Sequence, residues 1–246
     1  MKHRTLLIGL LVFALALLSQ FVVASAMRNQ KLPTSFKVRV ENISNTEGQL
    51  ATDGTRWPFA LSPGMFLLSE KRGVLFADGK FASKGLEAQA EDGNPAMLIS
   101  SFELMHHAAS LHGIFNTPVS AMGPGPIGPG AAYEFNFAAS PKMKLHMVFM
   151  FGQSNDLFYA PDANGIALFD NTGNAISGDV TEQLILWDAG TEVNEEPGIG
   201  PNQAPRQGKA NTGAAENGVV RRAKEVHFYG KSAELFRVTI TPQRGM

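Results

Sequence analysis

Three segments of the chain alternate apolar and polar residues with a period of two, namely Phe36–Asn42, Tyr133–Phe137 and Leu235–Thr241. Successive side chains of a β-strand point to opposite faces of a sheet, so this pattern is typical of strands with one buried and one solvated face. Such strands belong to antiparallel sheets, which can leave one face in water. The sequence therefore predicts an all-β fold made of antiparallel sheets.

Further apolar segments extend this prediction to about nine or ten strands in a single β-sandwich. Residues 143–151 are apolar almost throughout, which predicts a core strand covered on both faces. Two more strands are expected at 57–61 and 65–68, separated by a turn at Ser62–Gly64. The other expected strands lie at 165–169, 183–187 and 225–229.

Two short helices are expected in the connections. Ser83 is a suitable N-cap for the first helix, and Gly93 is a suitable residue to end it. The second helix is expected to start at Pro95. Its inward-facing residues are predicted to be Met97, Leu98 and Phe102.

The first 26 residues have the features of a secretory signal peptide. Lys2 and Arg4 provide a basic start, residues 6–18 are apolar and uncharged, and Ala24–Ala26 supplies small residues for cleavage. This apolar run is shorter than the roughly 20 residues that cross a bilayer, although an uncleaved N-terminal anchor is the alternative. We expect an exported protein, periplasmic or secreted, with a leader at 27–35 and one domain over 36–246.

Charge and cysteine content narrow the possible functions. Removal of the first 26 residues leaves 220, with 19 basic and 22 acidic side chains. This balance gives no reason to expect a nucleic acid or an anionic membrane as partner. The chain has no cysteine, so its stability must come from an ordinary core, with a bound metal as the available supplement.

Two acidic segments follow apolar strand patterns, at 153–156 and 188–195. Loops at the same end of a sandwich would bring their carboxylates together, and calcium prefers six to eight such oxygen ligands. Gly190 lets the chain curl so that Asp188 and Glu192 can reach one ion. The predicted calcium ligands are Asp156, Asp188 and Glu192, with Asn155, Asn194 and Glu195 as possible additional oxygens. The alternative is a capped turn followed by a solvated acidic loop.

Other chemistries were weighed against calcium binding. The histidines at 106, 107, 112, 146 and 227 lack the spacing of a zinc site, and no Gly-x-Ser-x-Gly elbow is present. A periplasmic hydrolase using Asp188, Glu192 and Glu195 stays open, because glycosidases employ two carboxylates across a groove. A third possibility is an exported structural domain in which the metal only makes the loops rigid.

Several blocks of the sequence together resemble bacterial proteins of the spondin-domain family. The longest block, Phe76–Gly93, reads FADGKFASKGLEAQAEDG. It resembles the family pattern LF-x-x-G-x-x-AS-x-GLE-x-x-AEDG. The other matching blocks are Ser154–Phe158, Asp188–Glu192 with the sequence DAGTE, Asn194–Glu195, Gly198–Pro201 and Gln203–Gln207. The resemblance covers residues 36–241, nearly the whole predicted domain.

This resemblance implies a C2-like antiparallel β-sandwich with a bound calcium, as in the spondin domains of animal F-spondin and mindin. By position, Asp156, Asp188 and Glu192 would be the carboxylate ligands. It also implies a non-enzymatic module that binds a protein or glycan ligand on a cell surface or matrix. The animal domains contain disulfides that this chain cannot form, and the animal proteins carry thrombospondin-type repeats that it lacks. Their adhesion function therefore does not transfer with the fold.

Overall fold

Thirteen β-strands and three short α-helices make up the part of the chain that the computed structural model describes, residues 32–106, 112–224 and 230–243. The strands are β1 Thr34–Asn42, β2 Gln49–Leu50, β3 Arg56–Trp57, β4 Leu61–Ser69, β5 His112–Phe115, β6 Ala132–Ala139, β7 Lys144–Phe151, β8 Leu157–Ala160, β9 Ile166–Ala167, β10 Gly178–Asp179, β11 Ile185–Asp188, β12 Arg221–Arg222 and β13 Phe236–Gln243. The helices are α1 Lys84–Asp92, α2 Ala96–His106 and α3 Ser232–Leu235, with a 3-10 turn at Thr181–Gln183.

Two antiparallel sheets pack face to face. The first has the strand order β10-β13-β1-β6, and the second has the order β12-β11-β8-β7-β4-β5, with β9 paired to β7. Strands β2 and β3 form a separate small hairpin. The predicted all-β antiparallel sandwich is therefore confirmed.

The alternating segments lie in the first sheet as the pattern predicts. Along β1, Phe36, Val38 and Val40 are fully buried between the sheets. Between them, Arg39 points to the outer face and forms an ion pair with Glu134 of β6 at 3.0 Å. The first sheet thus has one dry and one wet face.

The second sheet is buried on both faces, and for this reason β7 has no polar alternation. Met147, Phe149 and Phe151 face the first sheet, whereas Val148 belongs to an outer apolar cluster covered by the two helices. Helix α1 contributes Leu86 to this cluster, and α2 contributes Leu98. The predicted caps of α1 are present: Leu86 N donates to Ser83 Oγ at 3.2 Å, and Gly93 adopts a left-handed φ of 64°.

Several local predictions need correction. The expected turn at Ser62–Gly64 is wrong, because β4 runs through it and a register shift between Leu61 and Gly64 accommodates Pro63. There Ser62 Oγ accepts a hydrogen bond from Met150 N at 2.8 Å, which ties the irregular stretch to β7. Met97 was expected to face inward but is 50% exposed. The expected strand at 165–169 is confined to 166–167, and the one at 183–187 begins only after the 3-10 turn.

Other predictions fall on residues outside those described. They are the signal peptide at 1–26, most of the leader at 27–35, the strand at 225–229, His107, His227 and the side chains of Phe102 and His106. From Thr34 onward the chain forms one compact unit. Among the described residues, no helix combines the length and the apolar character needed to cross a bilayer.

His146 is a buried titratable residue in the core strand β7. Its Nε2 atom is enclosed and has no hydrogen-bond partner among the described residues. Its pKa is lowered to about 4, mainly by burial and also by the charge of Lys144, against the opposing effects of a hydrogen bond to the Lys71 backbone and the charge of Asp162. At neutral pH this imidazole is therefore uncharged.

Candidate metal centre

The two strands that precede the acidic loops end side by side. Strand β11 pairs antiparallel with β8, and the register sets Asp188 opposite Leu157, the residue after Asp156. The backbone also joins the two loops, because Ala189 N donates to Asp156 O at 3.1 Å. Ser154 shapes the turn before Asp156 by donating from Oγ to Phe151 O at 2.7 Å. Sheet register therefore holds Asp156 and Asp188 next to each other.

Three carboxylates converge at this point. Asp156, Asp188 and Glu216 each offer an oxygen, and these oxygens all lie within 4.8 Å of one another. Asp156 is fully buried, Asp188 is 3% exposed, and Glu216 is partly buried. This is the one group of three or more potential metal-ligating side chains in residues 32–106, 112–224 and 230–243, and no histidine belongs to it.

The two oxygens of Asp156 have different environments. Oδ2 accepts hydrogen bonds from Thr191 N at 2.7 Å, Thr191 Oγ1 at 3.2 Å and Glu192 N at 3.2 Å. Oδ1 is enclosed and accepts no hydrogen bond from any described residue. Burial raises the Asp156 pKa to about 7, and the charge of Asp188 adds to the rise, while the hydrogen bonds to Oδ2 oppose it. One oxygen of this carboxylate thus accepts three hydrogen bonds, and the other accepts none from the described residues.

Asp188 and Glu216 share a partner in Arg221. Asp188 Oδ1 accepts from Gly190 N at 2.8 Å, and Oδ2 accepts from Asn194 Nδ2 at 2.8 Å and Arg221 Nη2 at 2.7 Å. The same Nη2 atom lies 2.7 Å from Glu216 Oε1 and 2.9 Å from Oε2. Burial raises the Asp188 pKa, and the Arg221 charge is the strongest influence in the opposite direction.

The other predicted ligands hold the loops together. Glu192 Oε1 accepts from Gly213 N at 2.8 Å, and its Oε2 lies 3.4 Å from Asn155 Nδ2. Asn155 Oδ1 in turn accepts from Glu195 N at 2.9 Å. The Glu195 carboxylate accepts hydrogen bonds from the backbone and side-chain nitrogens of Asn202. Glu192 is thus next to the site through its backbone, but its carboxylate is not one of the three that converge.

Glu216 was not among the residues predicted from the sequence. It lies in the irregular stretch 197–218, where no strand pattern precedes it. Its place depends on β12, whose Arg221 pairs with Asp188 across the sheet edge. The sequence signal is weak: Glu216 is an acidic residue near the end of a Gly- and Pro-rich stretch, five positions before Arg221.

A cleft of about 520 Å³ opens beside the cluster. Its lining contains Asp188, Glu216 and Arg221 together with Leu157, Val193, Asn194, Ala223 and Lys224. Asp156 does not line it and forms the rear of the cluster. The arrangement has the chemistry to bind a hard cation at the floor of the cleft through three carboxylates.

Comparison with known proteins adds no relative to this description. No protein-family model matches the chain, and no curated protein has a significantly similar sequence.

Proposed function

We propose that this protein is an exported, calcium-binding β-sandwich module of the spondin type, without enzymatic activity, that binds a protein or glycan ligand on a surface. The observation that carries the proposal is Asp156 Oδ1, an enclosed carboxylate oxygen without a hydrogen-bond donor, within a group of three converging carboxylates. The sequence resemblance described above supports the family, and the signal-peptide features of the first 26 residues support the export.

Electrostatics favour a divalent ion at this position. Three ionised carboxylates carry three negative charges, of which Arg221 offsets one. Buried charges are costly unless they are paired or bound to a metal. Calcium would supply the missing partner of Asp156 Oδ1 and bring two positive charges to the cluster, with carbonyl or water oxygens completing its coordination.

Calcium suits the site better than magnesium for a structural reason. Magnesium demands near-ideal octahedral geometry, whereas calcium tolerates irregular ligand sets supplied by loops. Here one ligand precedes β8, one ends β11 and one lies in the long 197–218 connection. We expect a dissociation constant in the range of extracellular calcium modules, about 10⁻⁴ to 10⁻³ M.

Calorimetric titration of the purified protein with calcium chloride tests this proposal. The wild type should bind one calcium, and Asp156→Asn and Asp188→Asn should abolish the heat. Comparison of Glu216→Gln with Glu192→Gln identifies the third ligand. Glu70→Gln is the matched control, because Glu70 is exposed and follows the end of β4 far from the acidic loops. Equal heats for the wild type and both aspartate variants would exclude the site.

A hydrolase is the second candidate, and two observations favour it. The acids border a cleft of about 520 Å³, and the Asp156 pKa is raised to about 7. However, Asp156 does not reach the cleft, and the predicted catalytic acids Glu192 and Glu195 are bonded to loop groups. Turnover of glycoside or ester substrates that persists in chelator and disappears in Asp188→Asn would establish the hydrolase.

A further inference from the structure

Arg221 binds two of the three carboxylates that a metal ion would need. Its Nη2 atom lies 2.7 Å from both Asp188 Oδ2 and Glu216 Oε1. Calcium binds carboxylate oxygens at about 2.3–2.6 Å, so an ion that shares these oxygens would lie within about 5 Å of the guanidinium nitrogen and would be repelled by its charge. The guanidinium and the ion therefore compete for Asp188 and Glu216.

The strand pairing of Arg221 limits where its side chain can move. Its backbone is fixed in β12 opposite Asp188, and its side chain already lines the cleft. A guanidinium displaced from the two acids therefore stays at the cleft wall. The same cleft is lined by Lys224, an exposed lysine that forms no ion pair with any described residue.

Displacement would change the charge that the cleft presents. In the present arrangement Arg221 is neutralised by Asp188 and Glu216. Once an ion has replaced it, the metal offsets two of the three negative charges of the acids, and Arg221 and Lys224 line the cleft as unpaired cationic side chains. The planar guanidinium fork matches a carboxylate in a bidentate geometry, and lysine adds a point charge.

We propose that calcium and Arg221 exclude each other at the acid cluster, and that the released Arg221 forms with Lys224 a calcium-dependent site for a carboxylate-bearing ligand. This inference rests on the proposed calcium site and names the chemistry of its surface ligand. The cleft of about 520 Å³ has the size of a site that encloses a compact ligand, so the ligand assigned is a uronic-acid unit of a glycan.

Calcium affinity tests the exclusion. By calorimetry, Arg221→Gln should bind calcium about tenfold more tightly than the wild type, the ratio that corresponds to removing one hydrogen-bonded charge pair. Arg222→Gln is the control, because it removes the same charge from the next residue, which lies over Trp187 instead. Unchanged or weaker binding by Arg221→Gln overturns the inference while leaving the calcium site intact. Absence of binding in both proteins overturns the proposed function itself.

Ligand binding tests the anion site with two probes, oligogalacturonate and a hexaglutamate peptide, and neutral malto-oligosaccharide as control. The wild type should bind oligogalacturonate in millimolar calcium and not in chelator, and binding of hexaglutamate in its place would overturn the glycan assignment in favour of an acidic protein segment. Lys224→Gln should lose the probe while keeping its calcium affinity, which separates the site from simple bridging of the probe by calcium. Binding to neither probe, or probe binding retained in Lys224→Gln, contradicts the inference.

A measurement on the wild type guards against misfolding of the variants. Linkage requires that the ligand raises the affinity for calcium by the same factor by which calcium raises the affinity for the ligand. The calcium dissociation constant of the wild type should therefore fall when the bound probe is present at saturation. The same addition should leave the constant of Lys224→Gln unchanged. An unchanged constant in the wild type rules out the coupling.

Discussion

Replacement of Asp156 by asparagine should stabilise the calcium-free protein, although it removes a charge from the predicted metal site. Asparagine has the same shape, and its Oδ1 can accept the hydrogen bonds from Thr191 and Glu192 that Asp156 Oδ2 now accepts. Its Nδ2 group would then take the position of the unpartnered oxygen and donate toward Asp188 or Glu216. The substitution thus converts an electrostatic repulsion into a hydrogen bond.

The size of the effect follows from the pKa of Asp156. The folded-state pKa is raised to about 7 from the ordinary 3.8, first by burial and then by Asp188. Because the folded state keeps a proton that the unfolded state has lost, stability falls as pH rises from 3.8 through 7. A difference of about three pKa units corresponds to about 4 kcal/mol above pH 7, the most that the substitution can recover.

Urea denaturation in chelator at pH 8 and at pH 4 measures this difference. Asp156→Asn should be more stable than the wild type by about 2–4 kcal/mol at pH 8 and nearly equal to it at pH 4, where Asp156 is protonated in the folded state and close to half-protonated in the unfolded state. Calcium at 100 times the dissociation constant should shift the difference at pH 8 by about 2.7 kcal/mol in favour of the wild type, because it stabilises the wild type and not the variant. A variant less stable than the wild type at pH 8 in chelator would mean that the protein favours ionised Asp156 without a metal.

Three further changes test the surrounding structure. Because the pKa of His146 is lowered to about 4, neutral His146 should contribute its full stabilisation above pH 6.5, and the free energy of unfolding should fall by about 3 kcal/mol as pH drops from 6.5 through 4. In urea titrations across that range, His146→Gln should lack this pH-dependent loss. Gly190→Ala should destabilise by about 2 kcal/mol or more and weaken calcium binding, because Gly190 has a φ of 71° and its new Cβ would lie 2.7 Å from Val219 O; a thermal melt unchanged from the wild type would contradict this. Ser83→Ala should cost about 1 kcal/mol through loss of the α1 cap without altering calcium affinity, as denaturation and calorimetry together can check.

The sequence was most informative where one local rule decides the structure. Alternation identified β1, β6 and β13, because each has one wet face. The apolar run of β7 identified a strand covered on both sides, and the caps of α1 could be read from Ser83 and Gly93. Asp156 and Asp188 were also recognisable, since both flank strand ends that the sheet register brings together.

The rest of the site depends on contacts between distant segments. The placement of Glu216 and Arg221 follows from the pairing of the two-residue strand β12 with β11. A strand this short is too brief to show a periodic sequence pattern. Glu192 carries a carboxylate at a favourable spacing, but the amide of Gly213 directs it elsewhere, toward a loop 21 residues away. Similarly, the turn signal of Pro63 was overridden because β4 is held on both sides by β5 and β7.

A crystal structure of the protein grown with calcium, with anomalous data to identify the ion, tests the metal centre most directly. We expect a single peak at about 2.3–2.6 Å from Asp156 Oδ1 and from an Asp188 oxygen, with the Arg221 guanidinium no longer bridging Asp188 and Glu216. A cluster that holds no ion at saturating calcium, with Arg221 still bonded to both acids, would show that the guanidinium alone neutralises these carboxylates and that calcium has no place there.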